Sequence, residues 1–197
     1  MSWFFDLLTA AVYSLLIQNI IFNSGLALSE TVRTARRPKF FLMYGASVLY
    51  FSLTTSLICS LINLIPAVKS LSMIWHMAIF AVILAIVTFA TSVFAIVVLK
   101  ANKKFMNSLG MCAINSLVLA IPIINSRSAL SVASSVGSAI GAALAFVLAL
   151  LFVNSALRKI ASNKDIPKSF RGLPAVFVYM ALLALAFNCL SGQESFI

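Results

Sequence analysis

Long uninterrupted runs of apolar residues, separated by short polar segments, fill almost the whole chain. Each run approaches or exceeds the length of about 20 apolar residues that a helix needs to cross a bilayer. Helix is favoured over strand because the runs are continuous and because lipid requires every backbone group to be paired within its own segment. The pattern predicts an all-α integral membrane protein with six transmembrane helices, at approximately 3–24, 40–65, 71–99, 105–124, 129–157 and 173–191.

The composition excludes most soluble functions. The chain has 197 residues, of which 62% are hydrophobic and 9% are charged. An ordinary soluble domain carries about 45–50% apolar and about 25% charged residues. This composition therefore excludes a soluble enzyme, a nucleic-acid-binding module and any sizeable domain outside the membrane.

The basic residues predict how the chain is oriented. The net charge is +10, and twelve of the fourteen Lys and Arg residues fall in the first, third and fifth predicted loops. The second and fourth loops hold only Lys69 and Arg127. Under the positive-inside rule, the three basic loops are cytoplasmic and both termini lie outside. A missing or extra helix would destroy this alternation, so the charges support six spans independently of hydropathy.

Six spans form a single membrane domain with two halves, residues 1–99 and 100–197, each of three helices. Because each half has an odd number of helices, the halves insert with opposite orientation and are expected to be inverted repeats. The first helix of each half carries polar residues within its apolar run: Gln18, Asn19 and Asn23 in one, Asn115 and Ser116 in the other.

Amides in lipid cost free energy unless they are paired, so these side chains are expected to face the bundle interior and to contact each other or a partner. Two interpretations remain open. The amides stabilise helix packing by hydrogen bonds, or the two helices are broken near the membrane centre and line a site.

Other chemistry-bearing features are few. Gly137 and Gly141 form a GxxxG pair that predicts close approach of another helix, inside the bundle or on a neighbouring protein. His76, the only histidine, lies beside Trp75, where an interfacial anchor competes with a role in proton or ligand handling. The three cysteines, Cys59, Cys112 and Cys189, lack metal-site spacing.

The four acidic residues lie near span ends or in loops, which argues against a buried carboxylate relay. The longest predicted loop has about fifteen residues, which is too short to hold a dinucleotide, and no phosphate-binding glycine motif or Ser-His-Asp set is present. Any redox or nucleotide chemistry is therefore expected on another chain, and we assign no catalytic residue to this one.

Particular motifs resemble a known family. They are Asp165-Ile-Pro-Lys-Ser-Phe-Arg-Gly172, the following helix with Leu185-Ala-Phe187 and Ser191-Gly192, the segment Gly137–Phe146, and Gln18-Asn19. These stretches are similar to the RnfA subunits of Rnf electron transport complexes, a family homologous to the NqrE subunits of sodium-translocating NADH:quinone reductases. The resemblance covers most of the chain in architecture and is specific mainly over the last third.

The resemblance implies a multi-pass protein of the bacterial inner membrane that helps to relay electrons, coupled to Na⁺ or H⁺ movement. It implies as partners the other Rnf subunits, among them a homologous membrane protein of opposite topology that is similar to RnfE and NqrD. The enzyme activity would belong to the translocase-type oxidoreductase complex, in which this chain is a non-catalytic component.

The resemblance also implies a [2Fe-2S] cluster shared with the homologous protein, to which each of the two contributes one cysteine per half. The corresponding positions here are Ala27 and Ser116, and neither is a cysteine. Alanine cannot ligate iron, and serine does so poorly compared with thiolate. Cys112, one helical turn before Ser116, is a candidate substitute ligand on the same face.

Two other functions remain open at this point. A small-solute transporter, or a transporter component without redox chemistry, would have a cavity lined by Gln18, Asn19, Asn23 and Asn115. A purely structural membrane anchor would tolerate replacement of those amides by Leu or Ala.

Overall fold

The computed structural model describes residues 2–167 and 169–191, and within these ranges the fold is all-helical without a strand. Lys168 and Gly192, two positions of the family motif, lie outside the described residues. The helices are α1 (Ser2–Val12), α2 (Ile20–Ser24), α3 (Leu28–Ala35), α4 (Phe41–Ile62), α5 (Pro66–Lys69), α6 (Met73–Val97), α7 (Lys103–Ala113), α8 (Ser116–Arg127), α9 (Val132–Ser162) and α10 (Leu173–Ser191). A π-helical turn, Tyr13–Ile17, extends α1, and a 3₁₀ turn, Pro38–Phe40, leads into α4.

Four helical segments in the described chain are long and apolar enough to cross a membrane: Pro38–Ile62, Met73–Val97, Phe105–Arg127 and Val132–Ser162. They coincide with the second to fifth predicted spans and confirm a multi-pass membrane protein. The shorter apolar helices Trp3–Ile17 and Leu173–Cys189 coincide with the first and sixth predicted runs.

Helix α9 forms the centre of the bundle. It has 31 residues and is therefore about 46 Å long at 1.5 Å per residue. Its buried face is rich in alanine and glycine, which lets neighbouring backbones come close. A Cβ atom on Gly137 would overlap the carbonyl oxygen of Leu7, and one on Gly141 would overlap that of Ala11. The predicted GxxxG contact is confirmed, and its partner is α1 of the same chain.

Individual contacts give the relative directions of the helices. The pairing of Gly137 with Leu7 and of Gly141 with Ala11 means that α1 and α9 run in the same direction. Helix α4 runs the other way along α9, because a Cβ atom on Gly45 would meet Val147 and Ser56 donates to the Ser135 carbonyl.

Helix α4 also contacts α6, α7 and α8. The Cys112 side chain contacts Ser47, and Asn125 donates to Ser56, so the α7–α8 segment runs in the direction of α4. Helix α6 is antiparallel to α4, because Thr91 lies beside Tyr50 at one end and Phe80 packs with Cys59 at the other.

Residues 25–39, predicted as a loop, are largely helical. Helix α3 and the 3₁₀ turn occupy most of this segment, and Thr31, Val32, Thr34 and Ala35 are buried. The side-chain amide of Asn154 donates to the Ala35 carbonyl at 2.7 Å, which ties the end of α3 to α9. The loop prediction was wrong because α3 is amphipathic: its polar residues raised the polarity of the segment while its other face packed inward.

Candidate functional site at two broken helices

The first helix is interrupted at Gln18 and Asn19. At the end of the π-helical turn, the backbone N–H of Gln18 donates to the Tyr13 carbonyl at 2.8 Å. Asn19 then caps α2: its side-chain oxygen accepts from the backbone N–H groups of Ile21 and Phe22, at 3.2 and 3.3 Å. Its side-chain nitrogen donates back to the Leu15 carbonyl at 3.0 Å. One fully buried amide therefore pairs backbone groups on both sides of the break.

The chain then turns sharply before α3. Gly25 and Ala27 both have left-handed backbone conformations, with φ of 67° and 58°. This conformation costs a non-glycine residue about 1–2 kcal/mol, so Ala27 is held in place by its surroundings. Its carbonyl accepts from the Thr31 hydroxyl at 2.7 Å, and its side chain is 2% exposed.

The fourth predicted span is also interrupted. Helix α7 ends at Ala113, and α8 begins at Ser116. Between them, Asn115 caps α8 by accepting from the Leu117 amide at 3.0 Å. The Ile114 side chain is 81% exposed. The first and fourth predicted spans are thus both interrupted, and each break uses an asparagine as the helix cap.

The two breaks meet in space. The Ala27 amide donates to the Ser116 hydroxyl at 2.9 Å, although these residues are 89 positions apart in sequence. We call this contact, with the flanking caps Asn19 and Asn115, the junction.

Helices α3 and α8 both begin at the junction and leave it in opposite directions. Positions along α9 show these directions. Asn115, at the junction, shares a crevice with Phe146 of α9. Helix α3 ends near Asn154, towards the C-terminal end of α9, and α8 approaches Ser135, towards its N-terminal end. The positive ends of two helix dipoles therefore lie together, in a position that favours negative charge.

Openings approach the junction from both ends of the bundle. A cavity of about 450 Å³ on the α1 side is lined by Asp6, Tyr13, Gln18, Asn125 and other residues. A narrow crevice on the opposite side reaches Asn115 and Cys112 past Glu30 and Arg33.

The predicted amides fall into different environments. Asn19 and Asn115 are buried as expected, with 0% and 2% exposure, while Asn23 is half-buried and donates to the Ile17 carbonyl at 2.9 Å. Gln18 is exposed in this chain and lines the larger cavity. The reason is the break itself, which turns Gln18 out of the helical register. The cavity predicted by the transporter hypothesis therefore contains only Gln18 of the four amides.

Comparison with known proteins identifies the family. A family model described as Rnf-Nqr subunit, membrane protein, matches residues 7–193. The chain belongs to the Rnf-Nqr family.

Two curated relatives are named as the A subunit of the ion-translocating oxidoreductase complex. The protein from Rhodobacter capsulatus is 27% identical over 188 residues, which cover 95% of this chain and 97% of the relative. The one from Buchnera aphidicola is 29% identical over 115 residues, 56% of this chain and 59% of the relative. The A subunit of the proton-translocating ferredoxin:NAD(+) oxidoreductase complex from Clostridium ljungdahlii is 34% identical over 85 residues, 43% of this chain and 44% of the relative.

In this Rnf-Nqr chain, the two positions implied as cluster ligands are the residues that touch at the junction. Their chemistry does not fit an iron–sulfur cluster held by thiolates. Ala27 has no ligating atom, and the Ser116 hydroxyl already accepts from the Ala27 amide. Within the described ranges, no group of three or more His, Cys, Asp or Glu side chains is arranged to hold a metal ion.

Cys112 is less well placed to replace Ser116 as a cluster ligand than its sequence spacing suggested. The argument assumed one continuous helix, but α7 ends before Ser116, so the two residues do not share a helical face. The Cys112 side chain is 3% exposed and interacts with Ser47. Of the other cysteines, Cys59 is buried and Cys189 is exposed.

Sequence reasoning missed a buried polar cluster between α4, α8 and α9. The Asn125 side chain donates to the Ser56 hydroxyl at 3.1 Å and accepts from the Ser138 hydroxyl at 2.7 Å, while Ser56 donates to the Ser135 carbonyl at 3.0 Å. The signal that could have found it was Asn125 at the end of the fourth apolar run, aligned with a serine-rich segment that begins α9.

Proposed function

We propose that this chain is an RnfA-type membrane component of an ion-translocating electron transport complex in a bacterial cell membrane. The observation that carries the proposal is the junction. Two residues 89 positions apart, which the family resemblance pairs as functional positions, are joined by a hydrogen bond where two broken helices meet. Family membership and the names of the relatives support the same function.

We further propose six membrane crossings arranged as inverted halves. Alternating crossings require spans of odd number to run one way and spans of even number the other way. The relative directions of α1, α4, α6, α7–α8 and α9 satisfy this requirement. The matching breaks in the first and fourth spans support the inverted repeat, since α3 and α8 leave the junction in opposite directions. The distribution of basic residues among the loops supports an arrangement with both termini outside.

The proposed partner at the junction is the homologous membrane protein of opposite topology, similar to RnfE and NqrD. Ser116 is exposed although its neighbours Asn115 and Leu117 are buried, and Ile114 beside it is 81% exposed. One side of the junction therefore faces away from this chain's own core. A partner protein on this side would enclose the positive ends of α3 and α8.

We assign no electron-transfer step to residues of this chain. Ala27 and Ser116 offer one hydroxyl and no thiolate where the family resemblance implies two cysteines. The proposed contribution is the membrane frame and the junction surface, with the redox groups held by partner proteins.

An inventory of bound proteins and cofactors tests this function. The full chain, tagged and purified from its own membrane in mild detergent, is expected to bring with it a homologous membrane protein and other proteins that contain flavin and iron–sulfur clusters. Purification of the chain alone, under conditions that keep a known membrane complex intact, would contradict the proposal.

Photo-crosslinking tests the position of the partner. A crosslinking residue at Ile114 is expected to capture the homologous membrane protein. The matched control is Phe89 on α6, which is 73% exposed but lies away from the junction. Equal capture from both positions would remove the junction as the contact surface.

Labelling from the two aqueous compartments tests the topology. Residues 33–39 and 158–171 are expected to react from the same side. Reaction from opposite sides would contradict the six-span arrangement, while leaving family membership intact.

A further inference from the structure

A second cavity lies at the end of the bundle where α4 and α8 end and α6 and α9 begin. Its volume is about 390 Å³, within the roughly 300–1,000 Å³ of small-molecule sites. We call it the basic cavity and define it by six of its polar lining residues, Asn63, Lys69, His76, Ser126, Ser131 and Ser135. It lies apart from Ala27 and Ser116, which do not line it.

The charges around the basic cavity favour an anion. Lys69 and His76 both line it, and its lining residues in the described chain include no Asp or Glu. Ser131 and Ser135 place the first turns of α9 in the wall, so the positive end of a 31-residue helix adds to the local field.

The position of Lys69 is unusual in the charge pattern of the chain. It is one of only two basic residues outside the three basic loops. A lysine there reduces the charge asymmetry that orients the protein. Lys69 lies in the wall of the basic cavity together with His76, the only histidine in the sequence. A binding role in this cavity would explain why a lysine occurs at this position.

The imidazole of His76 is held in a defined orientation. Its Nδ1 lies 3.2 Å from the Ser72 carbonyl, and its ring packs edge-on against Phe80 with centroids 5.8 Å apart. A carbonyl only accepts, so Nδ1 carries the hydrogen in this contact. In the imidazolium form, Nε2 carries a hydrogen as well and can donate it to an oxygen of a ligand.

One wall of the basic cavity offers an acceptor without a donor. The Asn63 side chain donates to the Ser126 hydroxyl at 2.7 Å, and its buried Oδ1 has no hydrogen-bond partner among the described residues. Burial of an unpaired acceptor is costly. A ligand that carries a hydroxyl beside its anionic group would satisfy both Asn63 and the two basic side chains.

We propose that the basic cavity binds a glycerophosphate group, an acidic phosphate that carries neighbouring hydroxyls. The group comes either from a phospholipid headgroup or from a free glycerol phosphate. Lys69 and His76 bind the phosphate oxygens, and Asn63 accepts from a glycerol hydroxyl. Next to the cavity, Leu64, Ile74 and Trp75 are 65%, 77% and 61% exposed, which provides an apolar surface for acyl chains of the lipid form.

Native mass spectrometry of the full chain in nanodiscs tests the proposal and separates the two sources. The probes are phosphatidylglycerol in a phosphatidylcholine background, and free glycerol 3-phosphate with phosphatidylcholine alone. The wild type is expected to bind at least one probe in preference to phosphatidylcholine. Binding of the lipid alone identifies a headgroup site, and binding of the free compound identifies a soluble ligand.

Variants locate the bound group. Lys69→Gln combined with His76→Gln is expected to weaken binding about tenfold or more through loss of charge-assisted hydrogen bonds. Asn63→Asp, which keeps the side-chain shape and adds a negative charge, is expected to weaken it as well. Lys69→Arg retains the charge and checks that losses in the other variants are not caused by misfolding.

The matched control is Arg127→Gln, which removes the other isolated basic residue at the same end. Arg127 does not line the basic cavity, so binding is expected to stay at the wild-type level. The proposal is overturned if the wild type binds neither probe, or if the Lys69 and His76 double variant binds as tightly as the Arg127→Gln control.

Discussion

The first helix break occupies residues 18–27, whereas the second takes only Ile114 and Asn115. The longer break contains a short helix and two left-handed residues, and its asparagine cap makes three hydrogen bonds to the backbone. The shorter break has a cap with one such bond. Two positions related by the proposed inverted repeat therefore have different local structures. If the proposed repeat constrains where each helix is interrupted, the neighbouring side chains determine how each break is closed.

The breaks also differ in what holds the helix before them. Helix α1 is fixed to α9 by backbone contact at Gly137 and Gly141, whereas a Cβ atom on Gly110 of α7 would meet nothing within 4 Å. Gly141→Ala is expected to lower the free energy of unfolding by about 3 kcal/mol, because the new methyl group overlaps the Ala11 carbonyl.

Gly110→Ala is the control in the other half and is expected to raise stability by about 0.5–1 kcal/mol through helix propensity. Unfolding in one detergent, followed by circular dichroism, measures both. Equal changes in the free energy of unfolding for the two variants would show that α1 and α7 do not differ in how closely they are packed.

The two caps are expected to differ in importance. Asn19→Ala leaves two backbone N–H groups and one backbone carbonyl without their partner, and it is expected to lower the free energy of unfolding by about 2–3 kcal/mol. Asn115→Ala leaves one amide unpaired and is expected to cost about 1 kcal/mol. The same unfolding measurement compares them, and equal losses would mean that the extra bonds of Asn19 do not contribute.

The bond between the two breaks is tested at Ser116. Ser116→Ala removes the acceptor of the buried Ala27 amide and is expected to cost about 1–2 kcal/mol. Hydrogen exchange at Ala27 is expected to become faster. Ser116→Thr keeps the hydroxyl and serves as the control; faster exchange in that variant alone would show that the contact depends on shape and not on the hydrogen bond.

The smallest expected effects come from the left-handed residues. Ala27→Gly removes a backbone penalty and is expected to stabilise the protein by about 0.5–1 kcal/mol. Gly25→Ala introduces the same penalty at φ 67° and is expected to destabilise by a similar amount. Opposite shifts in the unfolding temperature are the expected result, and shifts of the same sign would contradict the conformational explanation.

The sequence predicted an all-helical, multi-pass membrane protein because long apolar runs have few structural solutions in lipid. It also predicted the close contact at Gly137 and Gly141, since small residues at that spacing permit backbone approach. The asparagines in the first and fourth spans indicated broken helices as one of two interpretations.

Other features depend on tertiary contacts that no local pattern reveals. The contact of Ala27 with Ser116 joins two distant segments, and α3 was hidden because Arg33 and the basic residues that follow the helix suggested a loop. Gln18 was expected in the interior because an amide in lipid needs a partner, and the break of the first helix was needed to see that it lines a cavity instead. The basic cavity brings Lys69 and His76 together from different elements, and neither residue by itself indicated a shared site.

The parallel alignment of α1 with α9 has a consequence for biogenesis. Leu7 and Gly137 are 130 positions apart, and ribosomes add about 5–20 residues each second. The first helix therefore leaves the ribosome well before its docking surface exists. During that interval, the interrupted first helix has no α9 to pack against, so substitutions at Gly137 or Gly141 that weaken this contact are expected to make the newly inserted protein more sensitive to membrane proteases.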